Sequence, residues 1–314
     1  MEKLSVIIPI YNEEDNILVL YKELKDVLKK MVKDNLISDY EIIFVNDGSK
    51  DKSGEVLEGV SKKDPQIKVI EFRANFGQTP SLKAGFDHCS GDLIVTMDGD
   101  LQNDPRDIPQ LIKKIREGFD VVSGWRNERR DPFFKRISSN IMNNLRKTII
   151  GDNLHDYGCS LKIYKKECIK DLELFGELHR YITAYLYIKG YKIGEIQVNH
   201  RPRKFGKTKY GINRGINGIL DLFYLKFWST YSNRPLHFFG RMGIYLLLLS
   251  FFIIIEQIVK AFILKSLELG PLLMLSVVFG ITGLLFIIFG FLSEIITRSY
   301  FENNKTYNIK KIYN

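Results

Sequence analysis

Leu93-Ile94-Val95-Thr96-Met97-Asp98-Gly99-Asp100-Leu101-Gln102-Asn103-Asp104-Pro105 is the stretch on which the reading of this chain turns. Its first five residues have the length and apolar character of a short buried strand, and they end abruptly in carboxylates. Asp98 and Asp100 are two residues apart, so continued strand geometry would send both side chains from one face. Gly99 lets the backbone turn closely between them. Asp104-Pro105 has the form of an N-cap followed by proline at the first helical position, and predicts a helix over 106–117. Two readings stand at this point. The turn can be merely solvated, or its carboxylates can hold a hard divalent cation, with the amide oxygen of Gln102 as a further ligand. Such a cation would neutralise a diphosphate leaving group.

Outward from this stretch, strand and helix patterns alternate. Leu4 to Ile10 reads as a central strand that ends in Tyr11-Asn12-Glu13-Glu14. Asn12 is predicted to cap the next helix with Asp15 answering it, and Ile17, Leu20, Leu24, Val27 and Leu28 form its apolar stripe. Glu41 to Val45 is a second strand and delivers Asn46-Asp47-Gly48-Ser49. Ile67 to Phe72 is a third, followed by Arg73-Ala74-Asn75-Phe76-Gly77 and a helix to about His88. Downstream, strands are expected over 119–123, after Gly158 and over 192–198, with helices over 133–150 and from Gly176 to Gly190. Such alternation predicts an α/β fold with a mainly parallel sheet and functional loops at the strand C-termini. Those loops carry Tyr11, Glu13, Asp47, Arg73 and the Asp98–Asp100 pair.

Two familiar phosphate devices are missing. No Gly-x-Gly-x-x-Gly follows the first strand, which argues against a dinucleotide-binding dehydrogenase, and no Gly-x-x-x-x-Gly-Lys-Ser/Thr occurs, which argues against a P-loop nucleotidase. A nucleotide would then be held by carboxylates and backbone groups. Asp47 can accept hydrogen bonds from a ribose or base. Arg73 and Lys83 are candidates for a diphosphate, although Lys83 reads equally well as an ordinary exposed helix lysine.

The 314 residues hide a break in composition behind average totals of 45% hydrophobic and 26% charged. Up to about residue 230 charged and apolar positions mix; from 236 to 296 Leu, Ile and Phe dominate. Two runs, about 236–264 and 269–296, each exceed the roughly 20 residues that cross a bilayer as a helix. His237, Arg241, Glu256 and Lys260 fall in the first and Glu294 near the end of the second; Arg241 and Lys260 can snorkel from opposite ends, leaving a middle that is apolar apart from Glu256. Arg234 and Arg241 stand at the start, and Arg298, Lys305, Lys310 and Lys311 follow, so the positive-inside rule places both ends and the N-terminal domain in the cytoplasm, on an inner (cytoplasmic) membrane. Met1-Glu2-Lys3 runs directly into a strand-like segment, and no signal peptide is expected. Cys89, Cys159 and Cys168 share no metal-like spacing and read as free thiols.

A net charge of +9 and a pI near 9.2 suit an anionic partner. The densest basic run, Asn199 to Gly211, holds Arg201, Arg203, Lys204, Lys207 and Lys209 and no acid. It reads either as a patch that attracts anionic lipid or as a Gly-containing loop carrying cations over an active site. Residues 212–231 have the pattern of an amphipathic helix lying along a membrane surface. Nucleic-acid binding finds no support, because the run is compact and no aromatic platform accompanies it. The organisation expected is a catalytic domain over 1–210, a juxtamembrane helix over 211–234, a two-helix hairpin over 235–298 and a tail over 299–314.

Taken together, Val6 to Glu14, Val45 to Ser49, Arg73 to Gln78, Asp98 to Pro105, Gly176 to Tyr181 and Asn199 to Arg203 resemble the motifs of polyprenyl-phosphate glycosyltransferases of the GT-A type. This group includes dolichyl-phosphate mannose synthases and bacterial undecaprenyl-phosphate sugar transferases, and the tail resembles the subgroup with its own membrane hairpin. The resemblance implies a nucleotide-sugar donor and a polyprenyl-phosphate acceptor. It implies donor contacts from Pro9, Tyr11, Glu13 and Asp47, a place near the donor sugar for Asp98, and Mg²⁺ or Mn²⁺ on Asp100 and Gln102. Arg126 would meet phosphates, and Arg201, Arg203 and Lys209 would fall in a loop closing over the site. Asp156 stands where the group has an acid before Gly-Phe-Arg-Leu; here that strand reads Gly158-Cys159-Ser160-Leu161-Lys162, a departure that leaves Lys162 without a role. Homo-oligomers, commonly tetramers, are implied too. A polysaccharide synthase using the same domain would add a Gln-x-x-Arg-Trp-like motif, which is absent from the sequence. A nonenzymatic membrane scaffold fits poorly with Asp98, Asp100 and Gln102 all retained beside the basic run.

Overall fold

The computed structural model describes residues 1–126, 150–151, 154–170, 172, 174, 176–202, 220, 223–224, 226–228, 230–232, 234–264 and 270–301. They fall into two compact units, 1–222 and 223–314.

In the first unit a seven-stranded sheet has the order β3-β2-β1-β4-β6-β5-β7. Its strands are β1 (Lys3–Ile10), β2 (Asp39–Asn46), β3 (Ile67–Glu71), β4 (Leu93–Thr96), β5 (Val121–Trp125), β6 (Lys162–Lys165) and β7 (Ile193–Gln197). Helices α1 (Glu14–Lys33), α2 (Ser53–Ser61), α3 (Gln78–His88) and α4 (Ile108–Arg116) connect the first five, and α5 (Lys166–Lys170) and α6 (Ile182–Ile188) follow β6. Val6, Ile7 and Ile8 of β1, Ile42, Ile43 and Phe44 of β2 and Ile94 and Val95 of β4 are all fully buried. Burial of both faces explains why these strands are continuous apolar runs. The α1 stripe packs on this sheet through Ile17, Leu20, Leu24 and Leu28, and α4 packs through Ile108, Leu111, Ile112 and Ile115 at helical spacing.

β6 alone among these strands runs antiparallel to its neighbours, pairing Thr96 with Lys162 on one side and Ser123 with Lys162 on the other. The other edges are level: Ile10 lies beside Asn46, Asn46 beside Glu71, and Ile7 beside Thr96. Reversal of β6 therefore brings the loop before that strand, 154–161, to the edge where the other strands end.

Several sequence expectations change in detail. The predicted helix over 106–117 is a 3₁₀ turn, Pro105–Asp107, running into α4, and the Asp104 carboxylate caps it by accepting from the Arg106 amide at 3.0 Å. The strand expected over 119–123 lies at Val121–Trp125. Asn12 does not cap α1: its φ is +51°, and its side-chain oxygen accepts from the Lys50 amide at 2.7 Å. The backbone there is bent to follow the neighbouring loop, which overrides the local capping preference. The helix expected over 133–150 lies, but for its last residue, outside the described residues, as does most of that over 211–234.

The second unit is a pair of helices, α7 (Pro235–Leu264) and α8 (Pro271–Phe301). Segments of 30 and 29 residues in them have mean hydropathies of 2.2 and 2.7, long and apolar enough to cross a membrane. Their contact is made of small residues. A Cβ on Gly283 would lie 2.8 Å from the Gly243 carbonyl oxygen, and the Ser250 hydroxyl donates to the Ser276 carbonyl at 2.7 Å. Phe227, Tyr231, Phe238 and Phe239 form an aromatic cluster at the start of α7, the kind of belt found at membrane interfaces.

Candidate active site

The C-terminal edge of the sheet gathers the loops after β1, β2, β3 and β4 with the loop before β6. Met97 leaves β4 still buried, and the acidic loop follows. Gly99 is required by close approach, because a Cβ there would stand 2.4 Å from Ile10 Cδ1. The left-handed residue of the turn is Leu101, with φ +63°. Such a conformation costs a non-glycine residue about 1–3 kcal/mol and persists only when its surroundings over-determine it. Here the Leu101 side chain is 1% exposed and belongs to the hydrophobic core. The strand has ended by Asp98, so strand periodicity does not set where the two carboxylates point; loop hydrogen bonds do. The Asp98 amide donates to Asn103 Oδ1 at 3.2 Å, and the Gln102 amide donates to Asp100 Oδ1 at 3.1 Å.

The two acids are nonetheless close electrically. Burial, and then the Asp100 charge, push the Asp98 pKa upward. The Gln78 amide group donates to Asp98 Oδ1 at 2.9 Å from the first turn of α3. Two carboxylates on one short loop, with an amide oxygen two residues on, make a donor set of the right chemistry for Mg²⁺ or Mn²⁺. These ions are commonly held by one or two protein carboxylates and complete their shell with water and substrate phosphate. Among the described residues no cluster of three or more His, Cys, Asp or Glu offers a richer set.

Arg126, just after β5, forms a forked pair with Asp156, Nε to Oδ2 at 2.6 Å and Nη2 to Oδ1 at 2.9 Å. Only 13% and 5% of the two side chains is exposed. Burial alone would weaken the guanidinium charge, and Asp156 more than restores it. The Gly158 amide also donates to Asp156, while Glu195 on β7 accepts from the His155 and Asp156 amides. His155 stacks on Trp125 with ring centroids 4.4 Å apart. Beneath this loop lies Lys162, 3% exposed, its ammonium held by the carbonyls of Tyr157 and Cys159 and its pKa lowered by burial. Lys162 therefore braces the loop from inside the sheet. The Ser160 hydroxyl donates to Asn103 Oδ1 at 2.8 Å and so ties that loop to the acidic one.

Asp47 is buried and already occupied. Its carboxylate accepts from the amides of Phe76 at 2.7 Å and Gly77 at 2.9 Å and from Asn75 Nδ2 at 2.8 Å. Burial raises its pKa, and the two amides offset part of the rise. The following Gly48 has φ +63°, and a Cβ there would meet the Ala74 carbonyl carbon at 2.3 Å. Asp47 thus shapes the Arg73–Gly77 loop, which leaves Arg73 exposed at the same sheet edge. Pro9, Tyr11 and Glu13 are half-buried beside it, Glu13 holding Asn16 Nδ2 at 2.5 Å. Lys83, on α3, pairs with Asp87 at 2.6 Å.

Arg201 is engaged as well. Its guanidinium bonds Glu23 of α1 at 2.6 Å and Asp104 at 2.7 Å. Arg203 and Lys209 lie outside the described residues. Sequence reading assigned no role to Gln78, Asn103, Glu23, Ser160 or Glu195. Of these, Gln78, Asn103 and Ser160 lay inside segments already singled out, and Glu23 and Glu195 are linked to the site by distant pairings.

Residues 5–173 match the description "Glycosyl transferase family 2". The chain is 39% identical, over 99% of its length and 93% of the relative's, to a dodecaprenyl-phosphate galacturonate synthase of Rhizobium johnstonii. This chain belongs to glycosyl transferase family 2. Within it, an undecaprenyl-phosphate 4-deoxy-4-formamido-L-arabinose transferase of Edwardsiella ictaluri is 35% identical over 91% of this chain and 84% of that protein. The fold of this family member is shared with glucosyl-3-phosphoglycerate synthase of Mycobacterium tuberculosis, solved with Mn²⁺, UDP-glucose and phosphoglyceric acid. That match has a TM-score of 0.55 at 17% identity, over 72% of this chain and 80% of the other. Family membership makes the chain a glycosyltransferase related to enzymes named for sugar transfer to polyprenyl phosphate.

Proposed function

We propose that this protein transfers a glycosyl group, with inversion, from a nucleotide-diphospho-sugar to a polyprenyl monophosphate. The observation that carries the reading is the pairing of Asp98 with Asp100 at the sheet edge, beside a buried Arg126 that Asp156 keeps charged. The polyprenyl-phosphate names of the relatives and the two apolar helices support the lipid acceptor. A UDP-activated sugar is the favoured donor, and GDP-mannose the alternative.

Pro9, Tyr11 and Glu13 border the nucleotide in this reading, with Asp47 holding the 73–77 loop against it and Arg73 facing the diphosphate. Asp98, Asp100 and Gln102 would hold Mg²⁺ or Mn²⁺, which supplies positive charge to the leaving nucleotide diphosphate. Arg126, with Arg203 and Lys209, meets the acceptor phosphate and lowers the repulsion between an anionic nucleophile and an anionic donor. A phosphate monoester has a second pKa of about 6 and is already a competent nucleophile at neutral pH. Asp156 therefore orients Arg126 and is not needed as a base. Its two oxygens are taken by Arg126 and the Gly158 amide. One displacement predicts inversion, and retention would require a second. The basic flanks support a cytoplasmic side of the membrane for the domain.

Full-length protein in detergent, incubated with polyprenyl phosphate and Mn²⁺, would be offered UDP-linked galacturonate, formamido-arabinose and glucose, and GDP-mannose. Mass spectrometry of the lipid should show one added sugar, and NMR of the product an inverted anomeric carbon. Absence of lipid-linked sugar from every donor, or growth of an oligosaccharide on a hydroxyl acceptor, would overturn the reading.

A further inference from the structure

Three consecutive residues after β7 are zipped onto the acidic loop. Asn199 donates from its amide to Asp107 Oδ2 at 2.7 Å and from Nδ2 to Oδ1 at 2.8 Å. His200 forms an antiparallel bridge with Asn103. The Arg201 amide donates to the Gln102 carbonyl at 2.9 Å, while its guanidinium spans Asp104 and Glu23. Asp104 is 2% exposed and also caps the 3₁₀ turn, so Arg201 joins the end of the acidic loop to α1. The loop needs such support, because it contains the strained Leu101 and has no strand pairing of its own after Thr96.

We infer that Asn199–Arg201 is a strap that fixes the acidic loop, and that Arg201 is a positioning residue for Asp100 and Gln102, not a ligand of the acceptor phosphate. This deepens the proposed function, on which the identity of the bound cation rests. Both guanidinium arms already hold carboxylates, and those two negative charges offset the cation's attraction for an incoming phosphate.

The test uses full-length protein in detergent micelles, titrated with Mn²⁺ in the presence of UDP and followed by electron paramagnetic resonance. Hydrogen exchange of peptides covering 98–107 is read in parallel. Arg201→Ala should weaken Mn²⁺ binding about 10- to 100-fold, the range seen when groups supporting metal ligands are removed. It should also speed exchange across the acidic loop and leave KM for polyprenyl phosphate unchanged. Arg201→Lys should restore part of the loss, and Glu23→Gln combined with Arg201→Ala should add little to Arg201→Ala alone. Arg116→Ala, which removes an ion pair to Glu2, should change none of these. Should Arg201→Ala not fold, Asp107→Ala removes both bonds to Asn199 and should speed the same exchange. A raised KM for lipid with unchanged Mn²⁺ binding would make Arg201 an acceptor ligand, and unchanged exchange in Asp107→Ala would remove the strap. Weakened Mn²⁺ binding in a protein that transfers no sugar to lipid would uphold the strap and defeat the proposed reaction.

Discussion

The α/β domain and the helix pair bury opposite kinds of residue. In the domain the core is large and apolar: Phe44, Ile7, Leu20 and Leu24 are fully buried. In the helix pair the buried positions include Gly243, Ser250 and Ser276, while Phe252, Ile258 and Leu284 face outward at 63%, 58% and 55% exposure. Each arrangement matches its solvent. Water drives large side chains together, whereas lipid is as apolar as leucine and gives no such reward, so helices approach through small residues and carbonyl-bonded hydroxyls. Charge follows the same division. The domain buries acids and cations around one sheet edge, and the helices confine Glu256 and Lys260 to a mutual pair near one end of α7.

The sharpest division is between chemistry and anchoring. Asp100→Ala should lower transfer at least about 10³-fold, the equivalent of about 4 kcal/mol, while leaving the protein in the membrane fraction. Near-normal turnover at saturating donor would remove the metal assignment. The same truncation made in both units comes next. Phe44→Ala should destabilise the domain by about 3–5 kcal/mol through cavity formation, and Phe252→Ala should change helix-pair stability by no more than about 0.5 kcal/mol. Equal losses in denaturation of the two variants would erase the contrast. Gly283→Leu should cost about 1–3 kcal/mol by forcing α7 and α8 apart, with little effect on nucleotide binding in the domain. Unchanged crosslinking between cysteines placed on the two helices would count against that packing.

The smallest effect is acidic. Burial would raise the Asp104 pKa, yet its bonds to Arg106 and Arg201 outweigh burial and bring it down to about 2. A lowered carboxylate pKa stabilises the fold above its unfolded value and loses that contribution as pH falls through the folded one. The stability profile should therefore fall between about pH 4 and pH 2. Asp104→Asn should flatten that limb, and identical profiles would show that the carboxylate contributes nothing there. Asp98 has the opposite sign. Its raised pKa means that ionisation costs the folded state stability as pH rises through it, a cost that a bound cation would offset.

Much of the site was legible in the chain because its signals are local. Strand-to-acid boundaries such as Thr96–Asp98 and Asn46–Asp47 place candidate site side chains at strand ends, and the Asp104-Pro105 cap is a two-residue pattern. Gly99 and Leu101 show the limit. Glycine was read as the turning residue, yet it is needed for the approach of Ile10, while the left-handed conformation falls on a leucine held by the core.

By itself, then, the sequence determined the alternation of strands and helices, the acidic turn after β4 and the two long apolar segments, because each follows from residue type and short spacing. Tertiary structure decided that β6 runs backward and so carries Asp156 to the site edge. It decided as well that Asp47 holds the loop after β3 and that Arg201 holds the acidic loop and α1. Those outcomes depend on which groups meet across 28 to 178 positions of chain, and a side chain's partners set its chemistry as much as its identity does.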